Sequence, residues 1–174
     1  MLGKPLGVGI LSAALKKGVL GDAGYADMLR HTTQLNRVGV QIAGLPGVHA
    51  MTDVTGFGLA GHLLEICRGS GLAARVSLAG VPLIDSAVAF ARQGIVTGAS
   101  ARNWIGYGTQ VDWPVHAGAW QKALMSDPQT SGGLLVTCAP QAADAVVEAF
   151  RAAGFADAAA IGDVQAGAPR IAFS

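Results

Sequence analysis

The chain has 174 residues, 51% of them hydrophobic and only 13% charged, with a net charge of +1. That length suggests one domain with a real core, and a charge content well under the usual figure of about 25% excludes a disordered chain. With Lys16-Lys17 as its only basic pair, the chain offers no electrostatic case for binding nucleic acid or an anionic membrane surface. The sparse charge also predicts that some apolar surface is covered by another domain or subunit.

Residues 1–9 are rich in glycine, carry Pro5 and read as a linker or loop, too broken for a signal-peptide core. Residues 10–17 read as a short helix whose two lysines suit its C-terminal end, with Gly18 as the stop. Tyr25, Met28, Leu29, Thr32, Leu35 and Val38 stand at helical spacing and predict a helix over 25–38. A second apolar stripe, Leu59, Leu63, Ile66 and Cys67, predicts a helix ending near Gly69-Ser70-Gly71, with His62 and Glu65 on its solvated or interfacial face. A strand is expected at 72–78 and a helix at 84–93. Residues 94–120 read as loops plus one short helix. After the strand "GLLVTCA", Pro140 opens a helix, and "AAAIGDV" and "RIAFS" read as a hairpin about Gly167-Ala168-Pro169. Helices and strands mix without strict alternation, which predicts α+β layers. No apolar run approaches the roughly 18 residues of a membrane span. Cys67 and Cys138 lack metal or redox spacing and read as core thiols of a chain kept in a reducing cytosol.

Two glycine segments remain. Gly56-Phe57-Gly58-Leu59-Ala60-Gly61 is a literal G-x-G-x-x-G that opens a helix, where backbone N–H groups could approach a phosphate. A dinucleotide fold is disfavoured, because "HAMTDVT" before it is polar and no acid stands about 20 residues beyond it. Asp53 would repel a phosphate unless a hard cation such as Mg²⁺ lies between them; the alternative is that Asp53 or Thr55 caps the following helix. The second segment, "SDPQTSGG" (126–133), reads as a turn or as an anion-holding nest, and it contains no Lys or Arg to neutralise an anion. No histidine stands in a nucleophile or metal motif.

"MTDVTGFGLAGHLLEI" (51–66) followed by "SDPQTSGGLLV" (126–136) resembles the C-terminal half of selenophosphate synthetases (selenide, water dikinases). "KPLGVGIL" (4–11) is similar to that family's junction segment and "AIGDV" (160–164) to its closing strand. The resemblance implies an α+β fold of the aminoimidazole ribonucleotide synthetase-like superfamily, a mixed sheet with helices packed on one face. It implies residues 1–9 as an interdomain linker remnant and 10–174 as a single C-terminal domain. An N-terminal half carrying the catalytic Cys and Lys would lie outside this chain, since neither Cys here stands in C-x-x-K. The implied reaction is ATP + selenide + water → selenophosphate + AMP + phosphate, in a cytoplasmic homodimer that engages neither nucleic acid nor membrane.

By that resemblance Asp53 binds Mg²⁺ that bridges the nucleotide phosphates. Thr52, Thr55 and Gly56 then line one phosphate-cleft loop and Thr130, Ser131, Gly132 and Gly133 the other, while Lys4 matches a junction lysine. The isolated chain is expected to be inactive. The alternatives are a non-catalytic anion-binding or partner-packing module, and the C-terminal domain of another enzyme of the same ATP-binding superfamily.

Overall fold

In the computed structural model, which describes residues 1–174, residues 2–9 are buried without exception. Leu2 and Ala159 exchange backbone hydrogen bonds of 2.9 and 3.1 Å, and Gly3 N donates to Leu134 O at 2.9 Å. Leu6 likewise binds Pro82 O and Ile84 N. The segment read as a linker or loop has no helix before Val8, yet Leu2, Leu6 and Val8 are core residues and its backbone is paired on both sides.

Helix α1 (Val8–Lys16) starts two residues earlier than its spacing predicts. The helix expected over 25–38 is two helices, α2 (Asp22–Thr33) and α3 (Val38–Ala43). The break falls at Gln34, whose backbone is extended. Lys4 accounts for it. The Lys4 Nζ donates to His31 O (2.9 Å), Gln34 O (2.6 Å) and Ser131 O (2.6 Å). Two of these carbonyls lie at the end of α2, where the helix dipole favours a cation. An ammonium that takes the last carbonyls of α2 supports the stop where apolar periodicity alone continues.

Two sheets follow. Strand β1 (Val48–Asp53) pairs antiparallel with β4 (Leu134–Cys138), placing Met51 opposite Val136 and Asp53 opposite Leu134. No strand was expected in "HAMTDVT", because its polar residues exclude a strand buried on both faces. As an edge of a two-stranded sheet, β1 has no such requirement. The second sheet has the order β3 (Val111–Asp112), β6 (Ile171–Phe173), β2 (Leu72–Val76), β5 (Gly162–Ala166). β2 runs antiparallel to β5 and parallel to β6, so the sheet is mixed as expected. The expected hairpin of the last two strands is absent, because β2 lies between them. Ala74 and Val76 of β2 are buried, and pairing on both sides gives that strand an interior position.

Helix α4 (Gly58–Ser70) packs against β1, β2 and β6 and so joins the two sheets. Leu59, Leu63 and Cys67 of its predicted stripe are buried. Helix α5 (Asp85–Arg92) packs on α1. Residues 94–120, expected to be mostly loop, hold α6 (Gly98–Tyr107), β3 and the start of α7 (Ala119–Met125). Thr97 caps α6 by accepting from Ser100 N at 3.1 Å. The region is held by contacts distant in sequence: Trp104 meets Trp113 edge-on (5.5 Å), Trp113 meets Phe173 (5.2 Å), and the Lys122 ammonium sits 4.6 Å above the Trp104 ring. Helix α8 (Ala143–Ala152) covers a second, smaller core with Val38, Ile42, Val136, Phe150 and Phe155. No helix is long and apolar enough to cross a membrane.

Burial lowers the Lys4 pKa from the ordinary lysine value, and three carbonyl acceptors satisfy its three N–H donors. Lys4→Met keeps the stem but leaves three carbonyls without their donor. It is expected to cost about 3 kcal/mol or more, read by chemical denaturation.

Candidate functional site

The two glycine segments meet backbone to backbone. Val54 N donates to Gly133 O and Gln129 N to Thr55 O, both at 2.9 Å. A Cβ on Gly132 would lie 1.9 Å from Val54 O, and one on Gly133 would lie 2.4 Å from Lys4 N. Gly58, at φ +69°, would bring a Cβ to 2.6 Å from the Ser126 carbonyl carbon. These glycines therefore permit close approach of chain to chain. Gly132 and Gly133 are buried, which leaves Thr130 and Ser131 as the exposed part of the second loop. In the first loop Gly56 is exposed and has open space about it.

The carbonyls of both loops are bound from within. Lys4 holds Ser131 O, and Asn36 Nδ2 donates to Gly132 O at 2.8 Å. Asn103 Nδ2 donates to Gly56 O (2.8 Å) and Ser126 O (3.1 Å), tying one loop to the other. Tyr107 Oη donates to Phe57 O at 2.9 Å. No motif marks Asn36, Asn103 or Tyr107, and each lies far from its loop in sequence. The N–H groups of Gly56 and Phe57, at the entry to α4, make no hydrogen bond within the chain. Such amides suit an anion.

The first half of the second segment has a structural task. Asp127 is fully buried, and its Oδ2 accepts from Ile10 N (3.2 Å) and Gln129 Nε2 (3.0 Å). Gln129 Oε1 accepts from Gly7 N (3.1 Å) and Val8 N (3.2 Å). Together these side chains serve the otherwise orphaned amides at the start of α1, a cap supplied from more than 100 residues away. Neither reading of 126–133, turn or anion nest, anticipated this task. Asp127 and Gln129 are committed to a helix.

Asp53, at the end of β1, is exposed, and no side-chain cap reaches the first turn of α4. The capping alternative for Asp53 or Thr55 therefore fails. Thr52 is half-buried, and its hydroxyl reaches only the neighbouring Asp53 O, at 3.4 Å. Thr55 Oγ1 instead meets His62 Nε2 at 3.1 Å, and His62 Nδ1 meets Glu65 Oε2 at 2.8 Å. His62, expected on a solvated or interfacial face, is buried, with the Phe57 ring 5.6 Å away. The i, i+3 spacing of His62 and Glu65 was visible in the sequence; the reach of the ring to Thr55 was not.

No three His, Cys, Asp or Glu side chains gather into a metal cluster. Of the two carboxylates in residues 52–58 and 126–133, Asp127 is buried, so Asp53 alone is exposed there to a Mg²⁺ ion. That donor set fits an ion shared with phosphate oxygens and with other carboxylates, and does not fit a self-contained site.

A domain that joins two glycine loops at one end of an antiparallel strand pair in this way has a family. The model for the AIR synthase related protein C-terminal domain matches residues 1–172, and the chain belongs to that family. It is 56% identical over 98% of its length to the selenide, water dikinase of Paraburkholderia xenovorans, covering 48% of that protein. It is 50% identical over 98% to the selenide, water dikinase of Rhizobium meliloti, covering 49%. The chain thus spans about half the length of the curated relatives it matches. In fold it is similar to the hydrogenase maturation protein HypE in complex with ATP (TM-score 0.65, 19% identity, 99% of this chain and 45% of that one). A thiamine-monophosphate kinase from Stenotrophomonas maltophilia is also similar (TM-score 0.61, 18% identity, all of this chain and 51% of that one).

Burial pushes the Asp127 pKa up to about 7, against the N–H donors of Ile10, Gln129 and Gly9, and its Oδ1 has no partner. Between about pH 4 and about pH 7 the unfolded carboxyl has lost its proton while the folded one retains it, so this group's contribution to stability falls as pH rises through that window. Asp127→Asn, which keeps an acceptor for Ile10 N, is expected to lack this slope in denaturation measured across the window. Asp127→Ala is expected to lose about 2 kcal/mol throughout by uncapping α1.

Proposed function

We propose that this chain is the C-terminal half of a selenide, water dikinase and forms one wall of its ATP cleft. The observation that carries the reading is 50–57% identity to such enzymes across 98% of the chain, a span that includes both glycine loops. The whole reaction is ATP + selenide + water → selenophosphate + AMP + phosphate. The fold's likeness to an ATP-bound protein supports the placement of a nucleotide against it.

In this reading Asp53 is one ligand of Mg²⁺, which supplies charge neutralisation at the phosphates when bound. Asp53 is exposed at a strand end, and the backbone around it is held by Gly133 and Gln129, so its carboxylate stands on a rigid support. Thr52, Thr55 and Gly56 on one loop and Thr130 and Ser131 on the other complete this side of the cleft. The amides of Gly56 and Phe57 are its anion-facing donors. Gly132 and Gly133 act by letting the loops close upon each other. The nucleophilic steps belong to the N-terminal half, and the homodimer of the full enzyme and a cytoplasmic setting go with the same reading.

A partner-packing role is part of this reading. Leu35, Val40, Phe57 and Ile105 are 60%, 85%, 54% and 82% exposed and are available to such packing.

The test supplies the N-terminal half of a relative, in cis or in trans, and follows AMP formed from ATP and selenide. The pair is expected to be active and the chain alone inactive. Asp53→Asn is expected to lower the rate by about 100-fold with the fold intact. AMP formation by the isolated chain, or an unaffected Asp53→Asn pair, overturns the reading.

A further inference from the structure

Lys4 has no part in the function described so far. Its side chain is buried, and one of its three hydrogen bonds, at 2.6 Å, goes to Ser131 O. Ser131 is the only residue other than glycine with a positive φ, at +51°. A side chain there crowds the backbone, so the conformation persists only where its surroundings hold it.

The hold comes from inside the protein. Lys4 Nζ takes Ser131 O, and Asn36 Nδ2 takes the next carbonyl, Gly132 O, at 2.8 Å. Lys4 is itself anchored by His31 O and Gln34 O. Relaxation of Ser131 to a negative φ would withdraw an acceptor from this buried donor. On the other side of the loop, Thr130 and Ser131 are exposed. The amides of Thr130, Ser131 and Gly132 make no hydrogen bond within the chain. A peptide group is planar, so a Ser131 carbonyl drawn toward Lys4 points the Gly132 N–H the opposite way. A left-handed residue lets successive N–H groups turn toward one anion.

We propose that Lys4 is a positioning residue for the ATP cleft: by drawing Ser131 O inward it holds Ser131 left-handed, and so presents the loop's amides and the Ser131 hydroxyl to phosphate oxygens. The loop has no Lys or Arg of its own, and Lys4 stands directly behind it. The inference rests on the reading of Thr130 and Ser131 as cleft residues. It gives Lys4 a part in nucleotide binding as well as in stability.

The test varies the φ of residue 131 and the lysine separately, in the pair formed with the N-terminal half of a relative, and reads KM for ATP and kcat. Ser131→Gly and Ser131→Val both remove the hydroxyl, but glycine adopts a positive φ freely and valine does not. Ser131→Val is expected to show a KM about tenfold above that of Ser131→Gly with kcat within about twofold, because ground-state binding is what is lost. Lys4→Met is expected to raise KM about tenfold over the wild type, and adding Ser131→Gly to it to recover most of that loss. A lysine that served stability alone would lower the amount of folded chain and leave KM unchanged. With an active wild-type pair, equal KM in Ser131→Val and Ser131→Gly overturns the inference alone, and this comparison stands even where Lys4→Met does not fold. A folded Lys4→Met with unchanged KM, or no recovery in the double variant, overturns it too. A wild-type pair that forms no AMP overturns the reading on which it rests. Scalar couplings that report the φ of Ser131 in the chain by itself are expected to give a positive value; a negative one overturns the inference whatever the pair does.

Discussion

The Lys4 ammonium is buried with no carboxylate beside it, and the carbonyls of His31, Gln34 and Ser131 take its three protons. Those carbonyls belong to the end of α2, the link to α3 and the second glycine loop. Desolvating an ammonium is costly, and only full hydrogen bonding offsets it. Any movement of one segment away from the other two would strand the charge. The position of the second loop is thus tied to the N-terminal segment, which is itself paired with Leu134 and Ala159. One side chain near the start of the chain thereby sets the geometry of a loop more than 120 residues away.

The same logic runs through both loops. Donors inside the protein collect their carbonyls: Lys4, Asn36, Asn103 and Tyr107. Glycines let the two backbones touch. What faces outward is a carboxylate, hydroxyls and unbonded amides. In the proposed reading, this division lets a pair of loops without Lys or Arg face a phosphate cleft. Positive charge can come from a cation bound to Asp53, and amide donors at the entry to α4 add a partial positive potential. Exposed Leu35, Val40 and Ile105 agree with the scarcity of charge in the composition.

Some of this was legible in the residues. α4 and its buried stripe follow from apolar periodicity, and Gly71 stops it in the left-handed conformation. β4 follows from a short apolar run. The mixed α+β character and the two glycine loops were visible too. The split of α2 from α3 was not, because its cause is a lysine 27 residues away from His31. β1 was hidden because an edge strand can be polar. The hairpin expected at the C-terminus failed because β2, far earlier in the chain, takes the place between β5 and β6. Periodicity reports which face of a segment is buried and is silent about which segment buries it.

The sequence by itself determined the family's two glycine loops and the place of Asp53 beside the first of them, because those depend on residue types at short spacing. Only the tertiary structure decided what each residue in the loops does. Asp127 and Gln129 read as turn residues and cap α1; Gly132 and Gly133 let one segment approach another closely; His62 read as solvated or interfacial and is buried between Thr55 and Glu65. The physical reason is the same in each case. A hydrogen bond or a close approach is a relation between two segments, and its partner is chosen by the fold.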